Sequence, residues 1–76
     1  MRKAFVLINT DLGSEPGLHS ELKKIEGVVG IWQVYGVYDM IVEVEAESEE
    51  KMKEIVFSRI RKLEHMMSTV TLYSVS

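Results

Sequence analysis

Apolar residues fall along this chain in two rhythms, one of strands and one of helices. Arg2 to Asn9 is rich in branched and aromatic residues and reads as a strand, closed by the breaker stretch Thr10-Asp11-Leu12-Gly13-Ser14. Ser14, Glu15 and Pro16 have the chemistry of a helix start: a hydroxyl for an orphan amide, an acid at the positive end, and a proline tolerated in the first turn. Leu18, Leu22 and Ile25 then recur on one helical face, and Gly27 supplies a left-handed stop. Val28 to Val37 is nearly continuously apolar and reads as a second strand. Asp39 to Ala46 alternates, with Met40, Val42 and Val44 on one side and Ile41, Glu43 and Glu45 on the other. The two strands join as a hairpin around Gly36-Val37-Tyr38-Asp39. Ser48 caps a second helix whose stripe is Met52, Ile55, Val56, Ile60 and Leu63, and Ser68 to Ser76 closes the chain as a strand.

The order is therefore βαββαβ, and a faint repeat supports it. At an offset of 34 residues Val6 falls on Met40, Ile8 on Val42, Ser14 on Ser48, Leu18 on Met52 and Leu22 on Val56. Two such halves predict an α+β, ferredoxin-like two-layer sandwich, with both helices on one face of an antiparallel sheet. Right-handed crossovers give the strand order 4-1-3-2.

That architecture makes the other sheet face informative. Val6, Ile8, Met40, Val42 and Val44 form the helix-facing set, so the opposite positions are expected to be polar. Instead they include Phe5, Leu7 and Ile41. Strand two is apolar in both phases (Trp32 and Val34, or Ile31, Tyr35 and Val37), and strand four adds either Val70 and Leu72 or Tyr73 and Val75. An apolar face of this kind marks an interaction surface. A twofold dimer covers it with one self-complementary patch, so Phe5, Leu7 and Ile41 are the expected dimer interface.

Composition sharpens this expectation. A chain of 76 residues buries only ~60% of its unfolded surface, and with no cysteine it has neither a disulfide nor a thiolate metal ligand. Ideal packing and oligomerisation are the remaining aids to a small core. Nine basic and twelve acidic side chains leave a net charge of −3 without a basic patch for nucleic acid. The longest apolar run, Ala4 to Ile8, is far below the ~20 residues of a membrane span, and the start has no leader pattern. A cytoplasmic protein is expected.

Candidates for catalysis are sparse. His19 sits on a helix and His65 at a helix exit, where solvation and the helix dipole account for them. Glu43 and Glu45 share a strand face and read as a solvated edge of the outer face rather than a catalytic pair. Ser14, Ser48, Ser58 and Ser68 lack a nucleophile elbow, and Gly13 to Gly17 lacks the Gly-Lys-Ser/Thr ending of a phosphate loop. The basic run Arg59-Ile60-Arg61-Lys62 reads as helix-dipole complement and solvated surface. No catalytic residue, cofactor or metal site is expected. The cluster with binding chemistry is Gly36-Val37-Tyr38-Asp39: a glycine for positive φ or close approach, and a carboxylate for a cationic group. A plain hairpin in which Asp39 caps a turn is the alternative.

The element order, Tyr35-Gly36-Val37-Tyr38-Asp39-Met40 and the closing Ser68-Thr69-Val70-Thr71-Leu72 together resemble the RAM domain, the ligand-sensing half of the Lrp/AsnC feast/famine regulators. Ala4 to Ile8 and the helix exit at Ile25, Gly27 and Val28 match as well, so the resemblance covers residues 1–76 as one domain. His65-Met66-Met67 stands where the family often has proline-glycine before its last strand. The family's DNA-binding helix-turn-helix would precede Met1, so the chain reads as a stand-alone RAM protein. The resemblance implies a dimeric α+β barrel with sheets face to face, often assembled into octamers. It also implies a small amino acid held between dimers by Gly36, Val37, Tyr38 and Asp39, with Ser68 and Thr69 contributing. A non-enzymatic, amino-acid-sensing domain able to co-assemble with a full-length Lrp/AsnC regulator is the leading expectation. Two alternatives remain: an ACT-like amino-acid-binding domain, with its site near Asp11-Leu12-Gly13 and Pro16-Gly17-Leu18, and a small dimeric α+β barrel enzyme.

Overall fold

The computed structural model describes residues 2–11, 13, 15–64 and 66–74. Strands β1 (Arg2–Thr10), β2 (Val28–Gln33), β3 (Met40–Ala46) and β4 (Met66–Tyr73) form one antiparallel sheet in the order β2-β3-β1-β4, which is the expected 4-1-3-2 read from the other edge. Helix α1 (Glu15–Lys23) connects β1 to β2, and α2 (Glu49–Lys53) begins the return from β3 to β4. This is the ferredoxin-like α+β sandwich.

The period-two pattern decides which side packs. Ala4, Val6 and Ile8 of β1 stand opposite Val44, Val42 and Met40 of β3, and all six are buried beneath the helices. Leu18 and Leu22 of α1, Ile25 just beyond it, and Met52, Ile55, Val56 and Ile60 close the core from above. Ser48 caps α2, its hydroxyl accepting the Lys51 N–H at 3.1 Å. Gly27 has the positive φ expected of it, +102°, but it does not cap α1, which ends at Lys23; it lies in the turn that leads into β2. The cap proposed at Ser14 lies outside the described residues, as do His65 and Val75.

The second helix is not a uniform α-helix. From Glu54 to Ile60 it continues as a π-helix, and the Arg61 N–H donates to the Val56 carbonyl five residues back at 2.9 Å. Residues five apart on an α-helix diverge by about 140°. Widening the turn swings Ile60 back beside Ile55 and Val56, and all three are buried. At the exit the Arg61 guanidinium lies 4.7 Å from the centre of the Phe57 ring and donates to Thr71 Oγ1 at 3.4 Å. The basic run therefore includes one residue that fastens the helix end to β4.

Two strand boundaries differ from expectation. β2 stops at Gln33 rather than Val37, because the Val34 N–H donates to the Asp39 carbonyl at 2.9 Å and the chain turns through Gly36 at φ +143°. β4 begins at Met66 rather than Ser68, since Met66 pairs with Thr10 across a shift in register.

Register also settles the open face. A single row crosses all four strands: Trp32 faces Ile41, Ile41 faces Leu7, and Leu7 faces Val70. Beside it runs Gly30, Glu43, Phe5 and Leu72. Of the two phases open to strand four, Val70 and Leu72 lie here, and Thr69, Thr71 and Tyr73 turn toward the helices. Trp32 is 48% exposed and its indole lies over Gly30, where a Cβ would fall 2.5 Å from the ring.

Candidate functional site

Asp39 anchors the Gly-Val-Tyr-Asp turn through its own main chain and side chain. Its N–H donates to the Ile8 carbonyl at 2.9 Å, and its carboxylate Oδ2 accepts the Thr10 N–H at 3.0 Å. Both ties run to the end of β1, about which the expected hairpin cap says nothing. Thr10 is buried, so the charge-assisted bond satisfies an amide removed from water. The turn is thereby held against the sheet while Tyr35, Gly36 and Val37 stand in solvent and Tyr38 is half-buried.

On the opposite flank of the same strand end, Ile8 pairs with Thr69 and Asn9 with Ser68. The Asn9 amide Nδ2 donates to Ser68 Oγ at 3.1 Å. The six residues expected to contact a ligand therefore gather at one end of the sheet, either side of Ile8–Thr10. Within one chain β1 stands between the two groups. Gln33, Val34, Tyr35 and Asp39 line an open depression of about 300 Å³ there, at the lower end of the usual range for small-molecule sites.

Other concave regions are present. Gly13, Gly17, Leu18 and Glu21 face Lys62, Leu63 and Glu64 across about 610 Å³, beside the loop at which the ACT alternative would place its ligand. His19 and Lys23 border a shallower groove along β2 with Val28–Ile31. Among the described residues no group of three or more His, Cys, Asp or Glu is placed to hold a metal. No helix among them is long and apolar enough to cross a membrane.

Glu43 and Glu45 depart from expectation. They are not simply solvated: both reach the Lys3 Nζ, Glu43 at 3.2 Å from the middle of the open face and Glu45 at 3.9 Å from its end. Sequence reasoning had no view of this contact, since it depends on the β1–β3 register that sets Lys3 against Glu45.

Residues 3–76 match the family model of the Lrp/AsnC ligand binding domain. The chain belongs to that family. It is 32% identical over 74 residues to an uncharacterized HTH-type transcriptional regulator of Pyrococcus furiosus, a match covering 93% of this chain and 49% of that protein. This Lrp/AsnC chain thus spans about half the length of the curated relatives it matches. Among solved structures, FFRP-DM1 is similar with a TM-score of 0.92 at 31% identity, covering 99% of this chain and 100% of that one. A hypothetical protein from Pyrococcus horikoshii has a TM-score of 0.92 at 30% identity, covering 100% and 92% of the two chains. The match to the Lrp/AsnC ligand binding domain runs through all four strands and both helices.

Proposed function

We propose that this chain is a non-enzymatic effector domain that binds a small amino acid and assembles with itself. The observation that carries the reading is the seating of the Asp39 turn and of Ser68–Thr69 at one sheet end, in a chain of the Lrp/AsnC ligand-binding family. Asp39 Oδ2 is held by the Thr10 N–H, and Oδ1 is the oxygen offered to an α-amino group. Gly36, Val37 and Tyr38 bring backbone to the α-carboxylate, and Ser68 and Thr69 supply hydroxyls. β1 separates the two groups within a chain, so a ligand touching both draws one from a neighbouring subunit. A transcriptional regulator of Neisseria meningitidis that shares the fold was solved in complex with L-Met. An amino acid of that class is the natural first probe.

Self-assembly rests on the open face. Phe5, Leu7 and Ile41 form its centre, and a second copy set sheet against sheet buries them in a twofold dimer. Exposed Tyr35 and Val37 at the sheet end suit further contacts between dimers, up to an octamer. Because the regulators it resembles are about twice its length, co-assembly with a full-length Lrp/AsnC protein in the cytoplasm is the expected regulatory route.

A thermal-shift screen against the twenty amino acids, paired with light scattering, tests both halves of the reading. The expected result is a dimer or larger particle stabilised by a subset of amino acids. A monomer, or a melting curve that no amino acid moves, overturns the corresponding half. Stabilisation that survives loss of Asp39 would transfer the site to the cavity beside Gly13 and Gly17.

A further inference from the structure

The open face carries charge in its interior. Glu43 stands between Gly30 of β2 and Phe5 of β1, and its side chain is only 18% exposed in a single chain. Glu45, 31% exposed, is two residues along the same strand, and both carboxylates share one ammonium, that of Lys3, itself 44% exposed. Among the described residues no other charged side chain stands on this face of the strands. β2 contributes Gly30 and Trp32, β4 contributes Ser68, Val70 and Leu72, and the helices pack on the opposite side. At the Glu45 end of the sheet Arg2 lies in the helix-facing phase of β1, opposite Ala46, and Lys51 of α2 borders the depression that Glu45, Glu26 and Glu47 also line, its ammonium 3.7 Å from Glu54.

Covering the face therefore removes two carboxylates and one ammonium from water per copy. A twofold axis doubles the set to four carboxylates and two ammoniums, however the sheets are rotated. Exchanging partners across the seam rearranges the ion pairs but leaves two negative charges in excess. Desolvation and mutual repulsion both act against the charged form of a carboxylate, and both strengthen when water leaves. One proton per copy cancels the excess, and because both carboxylates share Lys3 it is assigned to the pair rather than to either residue.

We propose that closing this face against a second copy takes up protons onto the Glu43–Glu45 pairs, making assembly tighter as pH falls. The proposal rests on the sheet-to-sheet reading above. Its sign follows from linkage: the dimer binds more protons than the separated chains, so association gains as pH drops and weakens as it rises.

Sedimentation velocity on the full chain at fixed ionic strength tests it. Between about pH 7.5 and about pH 5.5 the dimer Kd is expected to fall at least about tenfold, since one proton taken up per dimer gives tenfold per pH unit. The Glu45→Gln variant, which leaves one carboxylate for each Lys3 ammonium, is expected to dimerise tightly at both values with that dependence gone. His19 lies on α1, off this face, so His19→Gln is expected to keep the dependence. A Kd that does not change with pH, or a slope unaltered in Glu45→Gln, overturns the proposal. Leu7→Lys separates this outcome from failure of the underlying reading. A dimer indifferent to Leu7→Lys refutes the sheet-to-sheet seam, whereas a pH-insensitive dimer that Leu7→Lys abolishes refutes only the proton linkage.

Discussion

Asp39 and Thr10, 29 positions apart in the chain, are joined by a 3.0 Å bond from the Thr10 N–H to the Asp39 carboxylate. The contact fastens the β2–β3 turn to the last residue of β1, so the element carrying the proposed ligand contacts is braced by the sheet. Asp39 holds the turn with one oxygen, and under the proposed function the other meets the ligand.

The two roles part under mutation. Asp39→Ala removes the acceptor of a buried amide and is expected to cost about 1–2 kcal/mol, lowering Tm by roughly 4–16 °C in a domain of this size. Asp39→Asn keeps an oxygen in place and is expected to retain most of that stability. Both variants are expected to lose amino-acid-dependent stabilisation, because neither offers a carboxylate. Differential scanning fluorimetry with and without L-Met reads the two effects separately.

Gly27 and Gly17 respond in opposite directions to alanine. At Gly27 the backbone has φ +102°, and a Cβ would lie 2.6 Å from Ile55 Cδ1 and 3.2 Å from the Glu45 carbonyl oxygen. Gly27→Ala is expected to destabilise by about 1–3 kcal/mol. Gly17 lies within α1 with open space where its Cβ would go, so Gly17→Ala is expected to add about 0.5–1 kcal/mol. Urea denaturation of the two variants checks the contrast.

Trp32, the only tryptophan, reports on the seam directly. It ends the row through Ile41, Leu7 and Val70 and is half-exposed in one chain. Concentrating the protein through its dimer transition is expected to shift its emission to shorter wavelength as water leaves the indole. Ile41→Lys places an ammonium beside it and is expected to hold the protein monomeric, with long-wavelength emission at every concentration.

The parts of this molecule legible in its sequence are those governed by local periodicity. Alternation along Arg2–Asn9 and Asp39–Ala46 separated the buried set from Phe5, Leu7 and Ile41, because a strand admits only two phases. Ser48 and Gly27 were legible for a similar reason, each being the residue type its backbone position requires. The extent of β2 was not, since Val34, Tyr35 and Val37 have strand propensity and the turn at Gly36 overrides it. The π-helical turns were hidden too: Met52, Ile55, Val56 and Ile60 satisfy a 3.6-residue stripe, and only packing shows that Ile55 and Ile60 must be buried together. At the site, chemistry singled out the turn, but the Thr10 tether joins segments that only the fold brings into contact. The Lys3–Glu43–Glu45 cluster was misread for the same reason, two acids in a sequence carrying no hint of the base set beside them.

Trp32, Ile41, Leu7 and Val70 come from four different strands, and none of them neighbours another in sequence. The row they make exists only when both crossovers have closed and β4 has docked beside β1. A nascent or half-formed chain has no such surface to present. If assembly uses this row, the oligomer recruits by tertiary structure rather than by stickiness. Quality control is then built into the geometry of the sheet, because a copy must be finished before it can be counted.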